Sequence, residues 1–277
     1  MAAIECIGVT FTAATVAGSI GAAFTGDSLT IRNCPLGAQL VNTWAGHQTG
    51  ALGVVVADNI RSPRMHDSTQ GIRLLNVSTA AIALMTFAVP QLPVGQSSPL
   101  VSQDTLSVMI QGTAAAGDIE NRIIEIYYPS LPGSEQNLIG YLELQKRLVN
   151  LVTVQVGLTA AGVAGNWSGA AALNATFDLL RANTNYALLG GSSTATGSTP
   201  CAIGVRGADT ANLRVAYPGH PNPIHTRGWF VDNARAFGLP MIPVINSANK
   251  ANTMIEVSSD ENASNYVAFL NFAELKG

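Results

Sequence analysis

Charge is what this chain has least of. Asp, Glu, Lys and Arg make up 11% of its 277 residues, where a soluble domain carries about 25%. Lysine is nearly missing, with Lys146, Lys250 and Lys276 alone, and the eleven arginines stand singly along the chain. A nucleic-acid groove needs clustered cations to displace counterions from phosphates, so scattered arginines argue against nucleic-acid binding as a main function. Long apolar runs are missing as well. Mean hydropathy is +0.26, yet no stretch approaches the roughly 20 consecutive apolar residues that a bilayer-spanning helix needs. Cysteine is sparse: Cys6, Cys34 and Cys201 are far apart and form no CxxC pair, which fits neither a disulfide framework nor a zinc ribbon and leaves them as small buried hydrophobes. The stretch from Met1 to Gly8 has no basic region and carries Glu5, unlike a secretory signal, so folding in a reducing cytoplasm is the expectation. The Asn-x-Ser/Thr matches at Asn76, Asn166, Asn174 and Asn262 are then chance. A chain with too few charges to coat its exterior, and no membrane span to account for the excess, is expected to cover much of that exterior with other protein. The competing explanation is an exterior built from Ser, Thr, Asn and Gln, which this sequence also supplies.

Short β-length runs fill the sequence. Leu29–Arg32, Gly53–Ala57, Ile72–Val77, Ala83–Val89, Thr105–Ile110 and Ile123–Tyr128 form a first set. Val152–Leu158, Asn185–Leu189, Ala202–Arg206, Asn212–Ala216, Met241–Ile245, Met254–Val257 and Tyr266–Phe272 form a second. Many short strands separated by Gly, Pro and Asn turns predict an all-β sandwich or barrel. Helices are expected in three places: after the capping signal Ser134-Glu135-Gln136-Asn137, carrying Leu138, Leu142 and Leu148; at Thr176–Arg181; and from Thr226 as N-cap to Phe237, with Gly238 as the stop and Pro240 beyond. Helices at strand junctions, without a strict βαβ alternation, argue against a doubly wound fold. Composition shifts between Pro129 and Gly169, which places a boundary near residue 150 and gives two β-rich halves, 1–149 and 150–277. No aligned repeat relates them.

Candidate chemistry is thin. His220 and His225 flank Pro221 and Pro223, and with Asp209 or Asp232 they are the one short-spaced metal candidate; the spacing is not that of a helical metal pair. Arg64-Met65-His66-Asp67-Ser68 collects triad residue types in one segment, but a Ser–His–acid relay is assembled from distant segments. His47 stands alone. Gly190 to Thr199, including Ser192 and Ser193, lacks a GxSxG elbow and reads as a mobile hairpin tip. Asp118, Glu120, Glu143, Asp260 and Glu261 are acids that nothing pairs into a glycosidase dyad, and aromatics for a sugar platform are only 6% of the chain. Gly204-Val205-Arg206-Gly207 is not a phosphate loop. The expectation is a non-enzyme with no cofactor and no metal, whose loop aromatics Trp44, Trp167, Tyr217 and Trp229 serve interfaces or pack a core.

The last 100 residues carry a family likeness. Leu180-Arg181-Ala182-Asn183-Thr184-Asn185-Tyr186, Gly204-Val205-Arg206-Gly207-Ala208-Asp209-Thr210, Thr226-Arg227-Gly228-Trp229-Phe230 and Leu239-Pro240-Met241-Ile242-Pro243-Val244-Ile245-Asn246 resemble in style the major capsid (coat) proteins of tailless icosahedral bacterial and archaeal viruses. The resemblance implies a jelly roll, as one elaborated eight-stranded barrel or two in tandem, packed as a trimer or larger homo-oligomeric capsomer in a virion shell assembled in the host cytoplasm. Other virion proteins are implied partners, with the inner face toward a lipid membrane or packaged nucleic acid. Met1 to Thr30 contains no Lys or Arg, a departure from coat proteins with basic arms that argues against direct genome contact. The small residues of Thr12–Thr25 then read as an extended arm between subunits. The alternatives are a carbohydrate-binding or adhesive β module such as a virion spike or surface lectin, and a hydrolase using His66/Asp67 or His220/His225.

Overall fold

Apolar alternation turns directly into strands here. The computed structural model describes residues 1–12, 24–48, 54–61, 72–78, 98–111, 119–159, 167–195, 200–219, 226–259 and 265–277. In chain order the strands are β1 (Ala3–Thr12), β2 (Phe24–Gly26), β3 (Ala38–Gln48), β4 (Val54–Arg61), β5 (Ile72–Ser78), β6 (Ser98–Leu100), β7 (Ser107–Gln111), β8 (Ile119–Tyr128) and β9 (Leu138–Ile139). They continue with β10 (Leu148–Thr159), β11 (Ser168–Ala172), β12 (Asn185–Ala195), β13 (Pro200–Arg206), β14 (Val215–Pro218), β15 (Ile242–Asn246), β16 (Met254–Ser259) and β17 (Asn265–Leu275). Among the described residues two α-helices, α1 (Tyr141–Arg147) and α2 (Trp229–Phe237), sit at strand junctions. The fold is all-β.

Strand order identifies the architecture. From β10 onward the first strand pairs the last (β10·β17), the second the seventh (β11·β16), the third the sixth (β12·β15) and the fourth the fifth (β13·β14), all antiparallel. That is one long hairpin of eight strands. Rolled up, it closes through β12·β17 and β13·β16 into sheets β10-β17-β12-β15 and β11-β16-β13-β14. This is a jelly roll. The first eight strands repeat the scheme: β1·β8, β3·β6 and β4·β5 pair, with β3·β8 and β4·β7 closing the roll. The remaining second-to-seventh contact is the antiparallel bridge Thr30–Thr105, while β2 itself folds back on β1. The repeat that no residue alignment shows is therefore present as topology. β9 adds to the outside of β15.

Several expectations are corrected. Thr176–Arg181 forms no helix, because the Thr176 hydroxyl accepts the Gly157 N–H (3.0 Å) and Lys250 holds Asp178 (2.6 Å), fixing an extended connection. α1 starts at Tyr141 behind Gly140, since Leu138 is taken by the pairing with β15, and Leu148 already belongs to β10. α2 is capped by Gly228. The carbonyl of Thr226 instead accepts the N–H groups of Gly191 and Trp229 (2.9 and 3.2 Å), while Gly238, at φ 66°, ends the helix as its sequence implied. Asn212 lies in a left-handed turn, so the strand there begins at Val215. Gly190–Ala195 are part of β12 rather than a hairpin tip. Thr12 ends β1, and Phe24 and Thr25 lie in β2, with Phe11 opposite Phe24. Both ends of the presumed arm are thus held in one sheet, and 13–23 lie outside the described residues, as do 83–89.

Candidate functional site

Over Ala3–Val9, Ala38–Val41 and Ile123–Tyr128 the sheet β1-β8-β3 is a wall with core on both faces. Ala3, Ile7, Val9, Leu40, Ile124, Ile126 and Tyr128 point into the first barrel's core. The alternate residues Ile4, Cys6, Val41, Ile123 and Tyr127 join the core of the second barrel. Period-2 side-chain alternation makes one strand serve two cores. The second barrel meets this wall with β13, β14 and α2. The Cys6 N–H donates to the Arg214 carbonyl (2.7 Å), and the Ala216 N–H donates to Cys6 Sγ (3.2 Å). Burial, and then Glu125, push the Cys6 thiol well up, which makes it a poor nucleophile. Gln136, buried between the barrels, accepts from Ile4 N–H (2.9 Å) and donates to the carbonyls of Ile4 and Thr210 (2.8 and 3.0 Å).

At one end of the seam Trp167 lies in a slot that glycine makes possible. A Cβ at Gly8 would strike the indole nitrogen, and one at Gly204 would come within 2.8 Å of Trp167 Cζ3. The Arg214 guanidinium stacks on the indole, 4.4 Å from the ring centroid. Asp27 Oδ2 accepts from Gly8 N–H (3.0 Å), Trp167 Nε1 (3.2 Å) and Arg214 Nη1 (2.7 Å). Arg214 Nε donates to Glu256 Oε2 (2.7 Å), and Arg206 Nη2 to Glu256 Oε1 (2.6 Å). Asp27, Arg206 and Arg214, with Glu5 and Arg32, bound a cleft of about 310 Å³ whose charges are paired within the chain. Arg214→Met leaves Glu256 and Asp27 without their shared cation. We expect a loss of about 3 kcal/mol or more, as for other broken buried pairs, read as a lower urea midpoint; an unchanged midpoint would remove Arg214 as the clamp.

At the centre of the wall stands Glu125, fully buried on the face that looks toward α2. Asn233 Nδ2 donates to its Oε2 (3.1 Å). Burial pushes its carboxyl up to about 8, against the opposing effect of hydrogen bonds from Trp229 and Asn233 on α2. At neutral pH it is held mainly as the neutral acid.

The sequence candidates fall elsewhere. His66, with Arg64, Asp67 and Ser68, and His220 and His225 lie outside the described residues, as do Asp118, Asp260 and Glu261. His47, Trp44 and Glu120 are placed only as backbone, on β3, β3 and β8. Asp209 is structural, accepting the Asn246 N–H (3.0 Å) and the Asn249 amide (3.1 Å), and Glu143 pairs Arg147 (2.8 Å). Among the described residues no three His, Cys, Asp or Glu side chains are grouped to hold a metal ion. Of the loop aromatics, Trp167 fills the seam, Tyr217 is buried with its hydroxyl donating to the Phe269 carbonyl (3.2 Å), and Trp229 is in the core. All three pack within this chain, Tyr217 and Trp229 buried and Trp167 partly exposed. Sequence reasoning missed Glu125, Arg214 and Asp27. Glu125 carried one usable signal: Ile123 and Tyr127, on its own strand face, are apolar, which marks that face as covered.

No family model matches the chain, and no curated protein is similar to it in sequence. Solved structures of viral major capsid proteins are similar over its whole length. The major capsid protein P2 from Bacteriophage PM2 matches at 9% identity and a TM-score of 0.22, covering 100% of this chain and 98% of that one. The STIV MCP matches at 8% identity and a TM-score of 0.20, covering 98% and 87%. The atomic structure of Sulfolobus Turreted Icosahedral Virus matches at 8% identity and a TM-score of 0.19, covering 98% and 83%. Superposition this loose carries no argument of its own. The fold rests on the strand pairing of this chain.

Proposed function

We propose that this chain is a structural coat subunit of a virion, made of two jelly-roll units dividing near residue 150, that self-assembles into a shell and carries no catalytic site. The observation that carries the reading is the doubled jelly roll with a common double-faced wall: two barrels joined without a hinge make a rigid brick, and jelly rolls are a recurrent architecture of viral capsids. The composition supports it, since 11% charged residues leave a surface that other protein can cover at little desolvation cost. Five arginines (Arg32, Arg147, Arg181, Arg206 and Arg214) and Lys250 are paired with carboxylates inside the chain, which speaks for contacts with further copies over contacts with nucleic acid. The partner is the chain itself, in a trimeric or larger capsomer, with other virion proteins and an inner membrane as further neighbours; assembly takes place in the host cytoplasm. Light scattering on the purified protein, with negative-stain imaging of the same fraction, tests this. Closed shells, tubes or sheets of megadalton mass are expected. A soluble monomer of 28.7 kDa at every concentration would overturn it.

A further inference from the structure

Among the described residues, six of the nine large hydrophobic side chains left exposed gather around one sheet edge. Leu142 is in the first turn of α1; Leu148, Val149 and Leu151 open β10; Phe177 and Leu179 lie in the β11–β12 connection. The hydrogen bond from Gly157 N–H to Thr176 brings that connection alongside β10. Leu142, Leu151, Phe177 and Leu179 are each more than half exposed. An apolar gathering of this kind on a soluble chain marks a contact surface.

The strand at its centre is an outer one. Among the described residues β10 pairs β17 on one side and no strand on the other, whereas the opposite edge of the same sheet is covered by β9. Sheet edges are normally protected from pairing by lysine, proline or an inward-pointing charge. None of these occurs in the twelve residues of β10, which contain no charge and are rich in Val, Leu and Thr. The ion pairs around it close within the chain: Glu143 with Arg147 (2.8 Å), Asp178 with Lys250 (2.6 Å) and Arg181 with Glu274 (2.9 Å). A partner therefore needs to bring no counter-charge. What matches is an uncharged, β-branched strand with apolar flanks, and β10 is itself such a strand. We propose that a second copy of this chain docks here, the two β10 edges pairing with each other so that the two sheets become continuous. Identical edges meeting about a twofold axis are self-complementary, and main-chain hydrogen bonds supply the affinity as in other strand additions. The proposal rests on the shell-subunit reading and names one of its contacts.

The test uses Leu151→Lys and Leu151→Glu, both at an exposed position that the fold does not need. Either variant alone sets like charges against each other across the paired edges. Each is expected to lower the assembled fraction at least tenfold by light scattering, and an equimolar mixture to recover it. As a second measurement, amide hydrogen exchange of the wild type is expected to slow at least tenfold over 148–153 on assembly. Wild-type assembly by either variant, or unchanged exchange in assembled particles, overturns the β10 contact and leaves the shell reading standing. A wild type that is monomeric throughout overturns the shell reading, and this contact with it.

Discussion

The wild-type protein is expected to lose stability as pH rises from about 4.5 to about 8, and Glu125→Gln to remove that loss. In the folded chain the Glu125 carboxyl keeps its proton up to about 8, because ionising it would leave a charge sealed between β8 and α2. In the unfolded chain the same group releases its proton near 4.5. Between those values the folded state binds more protons than the unfolded one, so stability falls with rising pH by as much as ~1.4 kcal/mol per pH unit and then levels off. Over the whole window the effect reaches about 5 kcal/mol. The groups facing Glu125 do not oppose it. Cys6, opposite on β1, is a thiol held neutral, Asn42 is opposite on β3, and Trp229 and Asn233 on α2 are uncharged. Glu125→Gln keeps an oxygen for the Asn233 amide and has nothing to titrate. Urea midpoints at pH 5, 7 and 9 read the result: wild type and variant close together at pH 5, the variant ahead by several kcal/mol at pH 9. Parallel curves would mean that Glu125 keeps its charge in the fold.

Gly190→Ala is expected to be among the most damaging single-methyl changes at the described glycines. Gly190 has φ 139°, a region that L side chains rarely enter, and a Cβ there would strike the Thr226 carbonyl and come within 2.8 Å of the Trp229 N–H. Those atoms are backbone at the start of α2 and cannot rotate aside. Backbone strain of about 1–3 kcal/mol adds to overpacking of about 1–3 kcal/mol. A loss of roughly 4 kcal/mol is a large part of a domain's whole stability, enough to lower soluble yield. Gly133→Ala separates the two causes. Its φ of 77° is also left-handed, but nothing lies within 4 Å of its Cβ, so only about 1 kcal/mol is expected there. Equal losses at the two positions would mean that the contact with α2 contributes nothing.

Most strands were readable in the sequence, including β8, β13 and β15, whose described residues are largely buried on both faces; β1 was not. β10, β16 and β17 alternate or carry clear β runs, and each was placed within a few residues. β1 was passed over because Ile4, Cys6 and Ile7 are apolar without alternation, a pattern that follows only once a second core is known to lie behind the sheet. The helix expected at Thr176–Arg181 fitted local propensity, but Gly157 and Lys250, distant in sequence, hold that segment extended. The seam was illegible for a related reason. Asp27, Trp167, Arg214 and Glu256 meet from widely separated parts of the chain, and no spacing rule links them. Tyr217 sits among Gly and Pro and so suggested an exposed loop, yet all four residues of β14 are buried.

The double-faced wall has a consequence for synthesis. Translation delivers β1 first, but its partner β8 follows more than a hundred residues later, and the cover for Ile4, Cys6, Ile123 and Tyr127 comes only with β13, β14 and α2. A nascent first barrel therefore leaves the ribosome with one oily side bare and Glu125 open to water, where nothing stops it ionising. Until the C-terminal third emerges, this half-made protein is a sticky, charged-at-the-centre sheet that must be kept from its neighbours. Burying that carboxylate requires it to take up a proton, so completing the chain and neutralising Glu125 become one event.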